Sequence, residues 1–265
     1  MAAEKNNSAK IYGVLPVLEA LRSGKRNIEQ ITIAEGAQIN RLRDLLHLAK
    51  EQGIIVNRVP KNTLAKFVEI GANHQGVIAT IAAAKYADSD ELLELLSAQI
   101  GGDDEPLAVV LDGVEDPRNL GAIARTAECA GAHGIFLPER RAVGLTETVA
   151  KTAAGALEYL PVAKVTNLNR LLEDLKERGI WTIGASANAK MSYTDWDWRQ
   201  PSAMILGSEG KGLHRLVEEN CDALVKIPLS GKIESLNVSV AAGVILYEAR
   251  RQRTAVSYQS SAFDD

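Results

Sequence analysis

From Leu107 onward the sequence repeats one pattern, a short continuous apolar run followed by a segment with helical spacing. The runs are LAVVLD (107–112), GIFLP (134–138), WTIGAS (181–186), AMILG (203–207) and ALVKI (223–227). A strand with one wet face alternates apolar and polar residues. A run without polar breaks needs cover on both faces, which parallel strands receive from their crossover helices. The pattern therefore dictates an α/β domain on a parallel sheet, over residues 107–253. Its last segment, Leu236 to about Arg253, is apolar almost all round through Tyr247. It is expected to be a helix buried against the sheet or a second subunit.

At 265 residues the chain exceeds a single core of roughly 150 residues, so two domains are expected. Residues 10–85 read as a small α/β sandwich. Helical spacing covers Val14–Leu21, Ile39–Gln52 and a stretch near Thr63–Ile70, and strand patterns cover Ile28–Ala34, Ile54–Val59 and Val77–Ala82. Residues 86–106 carry DSDELLELL and GGDDEP, an acidic Gly/Asp/Pro-bearing stretch that reads as a linker with room for one short helix. The polar ends, 1–9 and 254–265, are expected to be disordered.

Composition removes several classes of function. No apolar run approaches the ~20 residues of a membrane span, and the polar first nine residues lack the apolar core of a secretion signal. A cytoplasmic location without a membrane partner is expected. Cys129 and Cys221 form no CxxC, and His47, His74, His133 and His214 are scattered, so neither a disulfide framework nor a metal site is expected. The net charge of −4 conceals an asymmetry: 12 Lys+Arg stand against 7 Asp+Glu in residues 1–85, and 18 against 27 in the rest. A basic module on an acidic body suits local phosphate binding, although such residues are also the ordinary solvated face of a helix.

Three segments carry the candidate chemistry. GSEGKGL (207–213) has neither the GxxxxGK[ST] order of a phosphate loop nor the GxGxxG order of a dinucleotide fold, and no GxSxG elbow occurs. Open α/β sheets bind ligands at strand ends. Gly184 and Gly207 end strands, and Gly207, Gly210 and Gly212 could let a ligand approach the backbone or merely form a tight connection. In DPRNLGAIARTAECAG, Asn119 fits a helix N-cap before a stripe of Leu120, Ile123, Ala124 and Ala127. Arg125 points about 150° away from that stripe, where a solvent-facing arginine would lie. In IPLSGKIESLNVSVAAGVILYEA, Ser235 suits a cap of the last helix, whereas Asn237 is better explained by a ligand or partner. Arg250, Arg251 and Arg253 fit the negative end of that helix better than RNA contact. Trp196 and Trp198 fit packing beneath a loop better than base stacking.

Together, in order, these segments resemble the SpoU group of the SPOUT superfamily of RNA ribose methyltransferases. Asn119 and Arg125 match its first motif, LGSEGKGL its second and IPLSGKIESLNVSVAA its third, while IYGVLPVLEAL and NHQGVIA resemble the group's ribosomal-protein-like substrate-binding domain. The resemblance implies a catalytic domain with a deep trefoil knot, S-adenosyl-L-methionine as cofactor, and a homodimer through that domain. It places Gly207, Ile227 and Leu236 around the cofactor, and Gly184, at its own strand end, is expected to join them. Glu209, Ser235 and Asn237 would complete the site, with Arg125 and Asn119 facing the ribose. The implied reaction is 2′-O-methylation of a guanosine in the peptidyl-transferase region of 23S rRNA. A tRNA-directed sibling and a non-catalytic ribosome-assembly factor remain as alternatives.

Overall fold

The structure, a computed structural model, describes residues 8–68, 73–82 and 84–260. The chain divides into two compact units: residues 1–85 with 145–159, and residues 86–144 with 160–265.

The first unit contains β1 (Ser8–Tyr12), α1 (Val14–Ser23), β2 (Ile28–Ala34), α2 (Ile39–Glu51), β3 (Ile55–Val59), α3 (Lys61–Leu64) and β4 (Val77–Ala82). The sheet order is β1-β4-β2-β3, with β2 and β3 parallel and the other pairs antiparallel. One face of α1 and one of α2 bury Val17, Leu21, Leu42 and Leu45 against Ile31, Ile33, Val77 and Ile81 of the sheet. Strand β1 was not legible in the sequence, and it brings Ser8 and Ala9 into the sheet rather than a disordered end. Residues 1–7 lie outside the described residues. The helix expected near Thr63–Ile70 starts earlier, as α3, and continues as a 3-10 turn over Ala65–Phe67. Its expected end at Ile70 falls outside the described residues.

The division departs from the sequence boundaries at Leu145–Tyr159, which contains α6 (Glu147–Ala153) and a 3-10 turn and joins the first unit. Side chains explain this. Lys151 Nζ sits 4.4 Å from the centre of the Tyr12 ring, and Ala150 packs on the first unit's core. Arg26 grips Glu158 with Nε and Nη2, and its Nη1 donates to Ala82 O at 3.1 Å. Tyr159 donates to Glu19 Oε2 at 2.7 Å, and that hydrogen bond pushes the phenol pKa up to about 12.

The second unit opens with α4 (Ser89–Ala98), capped by Asp88, which accepts from the Asp90 and Glu91 amides. The stretch expected to be a linker is thus this unit's first element. Leu92, Leu93 and Leu96 are buried in its core, and Gly134 leaves room for Leu92, whose Cδ1 would lie 2.7 Å from an added Cβ. There follow β5 (Leu107–Asp112), α5 (Pro117–Cys129), β6 (Gly134–Pro138), β7 (Val162–Val165), α7 (Leu168–Glu177), β8 (Trp181–Ala185), β9 (Met191–Ser192), β10 (Ser202–Gly207), α8 (Arg215–Glu219), β11 (Ala223–Lys226) and α9 (Val238–Ser260). The seven strands run β7-β6-β5-β10-β8-β11-β9, and every pairing is parallel. The expected parallel sheet is therefore present, and its C-terminal strand ends share one edge.

Helix α9 packs on α5 but ends later than expected. No Gly or Pro interrupts residues 244–260, so nothing stops the helix near Arg253. Residues 254–260 are therefore helical rather than disordered, and residues 261–265 lie outside the described residues. The three arginines consequently do not sit in a last turn. Arg251 pairs with Glu248, and Arg253 is a buried staple that donates to the carbonyls of Trp198 (2.9 Å), Pro106 (3.2 Å), Gln200 (3.3 Å) and Glu105. Trp198 is fully buried with Nε1 on Tyr193 O at 2.8 Å, and Trp196 meets Trp181 edge-on at 5.7 Å.

Beside this staple, His133 and Leu107 exchange hydrogen bonds. Leu107 N donates to His133 Nδ1 at 3.1 Å, and His133 N donates to Leu107 O at 2.8 Å. Burial holds the imidazole pKa below its ordinary 6.5, helped by Arg253 and opposed by Asp104. The unfolded chain then takes up this proton at a higher pH than the folded chain. The stability contributed above pH 6.5 is lost as pH falls through the depressed folded value. Thermal unfolding from pH 7.5 to about 5.5 should show a falling midpoint, with a shallower fall in His133→Gln. Equal slopes in the two proteins would contradict this.

Candidate active site

The ends of β8, β10 and β11 surround a cavity of about 410 Å³. Its walls include Ala185–Asn188, Leu206–Leu213, Val225–Ile227 and Glu234–Leu236. Connections leaving adjacent parallel strands diverge from one sheet edge, which is where open α/β sheets form ligand crevices.

The loop after β10 is drawn tight by a reciprocal pair of hydrogen bonds, Ser208 N to Gly212 O (3.0 Å) and Gly212 N to Ser208 O (2.9 Å). It folds back directly over Gly207, where an added Cβ would sit 2.0 Å from the Gly212 carbonyl carbon. The GSEGKGL loop is therefore a tight connection and also a cavity wall. Its far end is anchored by Asp112 at the end of β5. The buried carboxylate accepts from His214 N at 2.7 Å and bonds His214 Nδ1 at 2.8 Å. Nothing in the sequence motifs had singled out Asp112 or His214.

A polar cluster joins three segments distant in sequence. Asn119 Nδ2 donates to Glu209 Oε1 at 3.0 Å, and Asn237 Nδ2 donates to Asn119 Oδ1 at 3.0 Å and also to Glu209 Oε1. Asn119 is only 8% exposed, so its amide is fixed. Two capping assignments change. Asp116, not Asn119, caps α5, accepting from Arg118 N at 2.7 Å with Pro117 in the first helical position. Asn237, not Ser235, caps α9, its Oδ1 accepting from Ser239 N at 2.9 Å and Val240 N at 3.3 Å. One amide thus holds a helix terminus with its oxygen and the cluster with its nitrogen.

Of the remaining sequence candidates, Gly207, Glu209, Ile227, Ser235 and Leu236 line the cavity. Gly184 does not. It lies within β8 beneath the loop, where an added Cβ would meet Leu224, Cys221 and Leu213 at 2.7–2.9 Å, so its role is close packing. Arg125 is exposed on α5, two turns beyond Asn119, and makes no hydrogen bond or ion pair among the described residues. Missed by the sequence reading were the walls after β8, from Ala185 to Asn188, and Leu229.

The comparisons agree with this geometry. Residues 106–247 match the model described as SpoU rRNA Methylase family, and residues 10–87 match the one described as RNA 2'-O ribose methyltransferase substrate binding. The chain belongs to the SpoU rRNA methylase family. A Bacillus subtilis protein assigned to the TrmH family of tRNA/rRNA methyltransferases is 46% identical over 246 residues, covering 93% of this chain and 96% of its own. The 23S rRNA (guanosine-2'-O-)-methyltransferase RlmB of Pseudomonas syringae is 42% identical, with the same coverage. Among solved structures, the SpoU methyltransferase AviRb of Streptomyces viridochromogenes superposes with a TM-score of 0.76 at 25% identity, over 94% of this chain and 91% of its own. An AdoMet-bound rRNA methyltransferase of Sinorhizobium meliloti gives 0.75 at 25% identity, over 93% and 88%. This SpoU methylase is therefore an RNA 2′-O-methyltransferase of the TrmH/SpoU type with the α/β fold of that group.

The cluster makes a test of its own in this enzyme. Asn237→Ala should lower stability by about 1 kcal/mol through loss of the cap and should also reduce methyl transfer. Asn237→Asp keeps the capping oxygen but faces Glu209 with a second carboxylate. It should melt below the parent through that repulsion, with the cap kept, and still transfer poorly. Recovered turnover in Asn237→Asp would show that the amide donor is dispensable.

Proposed function

We propose that this chain transfers a methyl group from S-adenosyl-L-methionine to the 2′-oxygen of a guanosine ribose in the peptidyl-transferase region of 23S rRNA. The observation that carries the reading is the cavity at the ends of β8, β10 and β11, with the Asn119–Glu209–Asn237 cluster built onto its wall. The residues present fit the cofactor. The cavity combines apolar Leu206, Ile227 and Leu236 with the peptide groups of Gly207–Gly212, where no side chain at Gly207 intrudes. The AdoMet-bound neighbour supports the same assignment. When bound, the cofactor supplies a methyl already activated by its sulfonium.

In this reading Gly207, Ile227 and Leu236 hold the cofactor largely through backbone groups. The Asn119–Glu209–Asn237 cluster and Ser235 fix the wall against which the ribose is aligned. Alignment supplies most of the acceleration, since well-oriented partners gain roughly 7–11 kcal/mol over free encounter. Arg125 offers a planar fork of donors to the 2′-oxygen and a neighbouring phosphate, and so stabilises the developing alkoxide. A guanidinium is a poor base, so phosphate or water takes the proton.

The protein works in the cytoplasm as a homodimer through the catalytic domain, with the trefoil knot of the SPOUT group. Val240 and Tyr247, each about half exposed on α9, support a subunit interface there. The basic front module, domain 10–85, carries the RNA. The RlmB relative favours 23S rRNA, whereas the TrmH-family relative keeps tRNA as the second reading. Transfer of labelled methyl to purified 23S rRNA and bulk tRNA, side by side, tests both. Label on a 23S ribose supports the main reading, and label on tRNA selects the sibling. No label on either revives the non-catalytic assembly factor.

A further inference from the structure

The first unit contains a cavity of its own, about 400 Å³, well away in sequence from the catalytic motifs. Its lining comes from the β2–α2 connection (Ala34–Gln38), Arg41 and Leu42 of α2, Lys61 at the start of α3, and the turn Asn73–Gly76. The turn is sharply specified. Val77 N donates to His74 O at 3.0 Å across Gln75 and Gly76, both left-handed with φ of 51° and 82°. Two outside bonds hold it, Val14 N to Gln75 Oε1 at 2.9 Å and Ala34 N to Gly76 O at 2.8 Å. A non-glycine residue in that conformation is strained, and such strain persists where the surroundings over-determine the backbone.

Within the turn His74 is only 8% exposed. Its Nδ1 accepts from Gly76 N at 3.1 Å, so the ring proton sits on Nε2. Nε2 makes no hydrogen bond among the described residues. Burial, with Lys61 and Lys151 nearby, holds the ring neutral by depressing its pKa. His74 lines the cavity, so a donor on its ring that has no protein partner is open to an occupant. Arg41 and Lys61 stand exposed at the same cavity, against the single carboxylate of Glu35, and neither forms an ion pair among the described residues. Helix α2 begins here too, and Gln38 makes no side-chain cap, which leaves first-turn amides for an anion.

We propose that this cavity receives one unstacked nucleotide of the RNA substrate, its base edge on His74 Nε2 and its phosphate on Arg41 and Lys61. The proposal rests on the reading of the chain as an RNA methyltransferase whose front module binds the substrate. A track for phosphates alone would need only the exposed cations and has no use for a neutral, one-proton donor on a largely buried ring. Among the described residues no Phe, Tyr or Trp lines the cavity, so a base is read along its edge and against the Arg41 guanidinium plane rather than stacked between large rings.

Binding of the full chain to purified 23S rRNA and bulk tRNA, at several salt concentrations, tests this. Lys61→Ala should weaken binding several-fold and lower the salt slope by about one counterion. His74→Ala should weaken binding about tenfold with the slope unchanged, as expected for a base contact. Gln38→Trp fills the mouth of the cavity from an exposed position that makes no cap bond, and should reproduce the His74→Ala loss; it decides alone if His74→Ala fails to fold. Parental binding by His74→Ala and Gln38→Trp, in proteins that melt normally, would overturn the nucleotide pocket while the methyltransferase reading stood. A parent protein that binds S-adenosyl-L-methionine but neither RNA would overturn both.

Discussion

Alanine at Gly207 should remove most of the cofactor affinity, because the added methyl group has nowhere to go. An ideal Cβ there falls 2.0 Å from the Gly212 carbonyl carbon, 2.1 Å from its oxygen and 2.3 Å from Leu213 N. These are backbone atoms, and the Ser208–Gly212 hydrogen-bond pair and the Asp112 anchor at His214 resist their displacement. Relief therefore requires the whole loop to lift, at a cost of roughly 3 kcal/mol, the upper end for overpacking. The same loop walls the cavity, so affinity for S-adenosyl-L-methionine should fall by about 100-fold or more, as titration calorimetry would read. Gly210→Ala is the control. Its Cβ would meet nothing within 4 Å, and only its φ of 80° opposes the change. That strain is worth about 1–2 kcal/mol. Gly210→Ala should lower the melting midpoint yet keep most of the cofactor affinity. Parental affinity in Gly207→Ala would separate this loop from the cofactor.

The fold was most legible where burial is two-sided. β5 and β6 coincide with their apolar runs, and β8, β10 and β11 lie within a residue of theirs, because a fully covered strand cannot tolerate polar interruptions. Of the strands the apolar runs do not mark, β9 contains two residues and β1 begins in polar sequence, while β7 spans VAKV with an inner lysine of the kind β11 also carries. α4 is the one short helix that the acidic stretch has room for, but its place in a core was obscured for a different reason. Its acidic residues face outward and dominate the composition, while Leu92, Leu93 and Leu96 alone record the buried face. The transfer of Leu145–Tyr159 to the first unit depends on a pair 132 residues apart, Arg26 and Glu158, which no local pattern announces.

The site divides along the same line. Gly207 could be proposed because strand ends and glycine turns are local features, whereas Glu209 came only with the family resemblance. What Asn119 and Asn237 do could not, since their bonds to each other and to Glu209 span 118, 90 and 28 residues. Local logic even misassigned their caps, because Asp116 and Asn237 each had a better-placed oxygen than the residue first suspected. Gly184 shows the period-two trap. One residue before the cavity wall at Ala185, it points into packing instead. His74 looked like one scattered histidine, and only the turn reveals its buried, singly protonated ring.

Arg125→Ala should lower turnover by about 10²–10³-fold, the usual effect of removing one donor to a developing oxyanion, with cofactor affinity unchanged. The residue supports no fold. It is exposed on α5, off the stripe of Leu120, Ile123, Ala124 and Ala127 that packs the helix, so the melting midpoint should stay at the parental value. An exposed arginine whose removal leaves stability intact but stops chemistry acts on something outside the folded chain. Arg125→Lys separates charge from geometry. Lysine keeps the cation but brings a point charge in place of a planar fork, and cannot bridge two oxygens in the same way. Its turnover should fall nearly as far as that of the alanine variant, with KM for RNA closer to the parent because the phosphate still meets a cation. Near-parental turnover in Arg125→Lys would reduce the residue to a phosphate contact and leave alignment by the Asn119–Glu209–Asn237 wall as the main source of rate. Slow turnover with parental cofactor affinity would instead place the guanidinium at the 2′-oxygen as its charge develops.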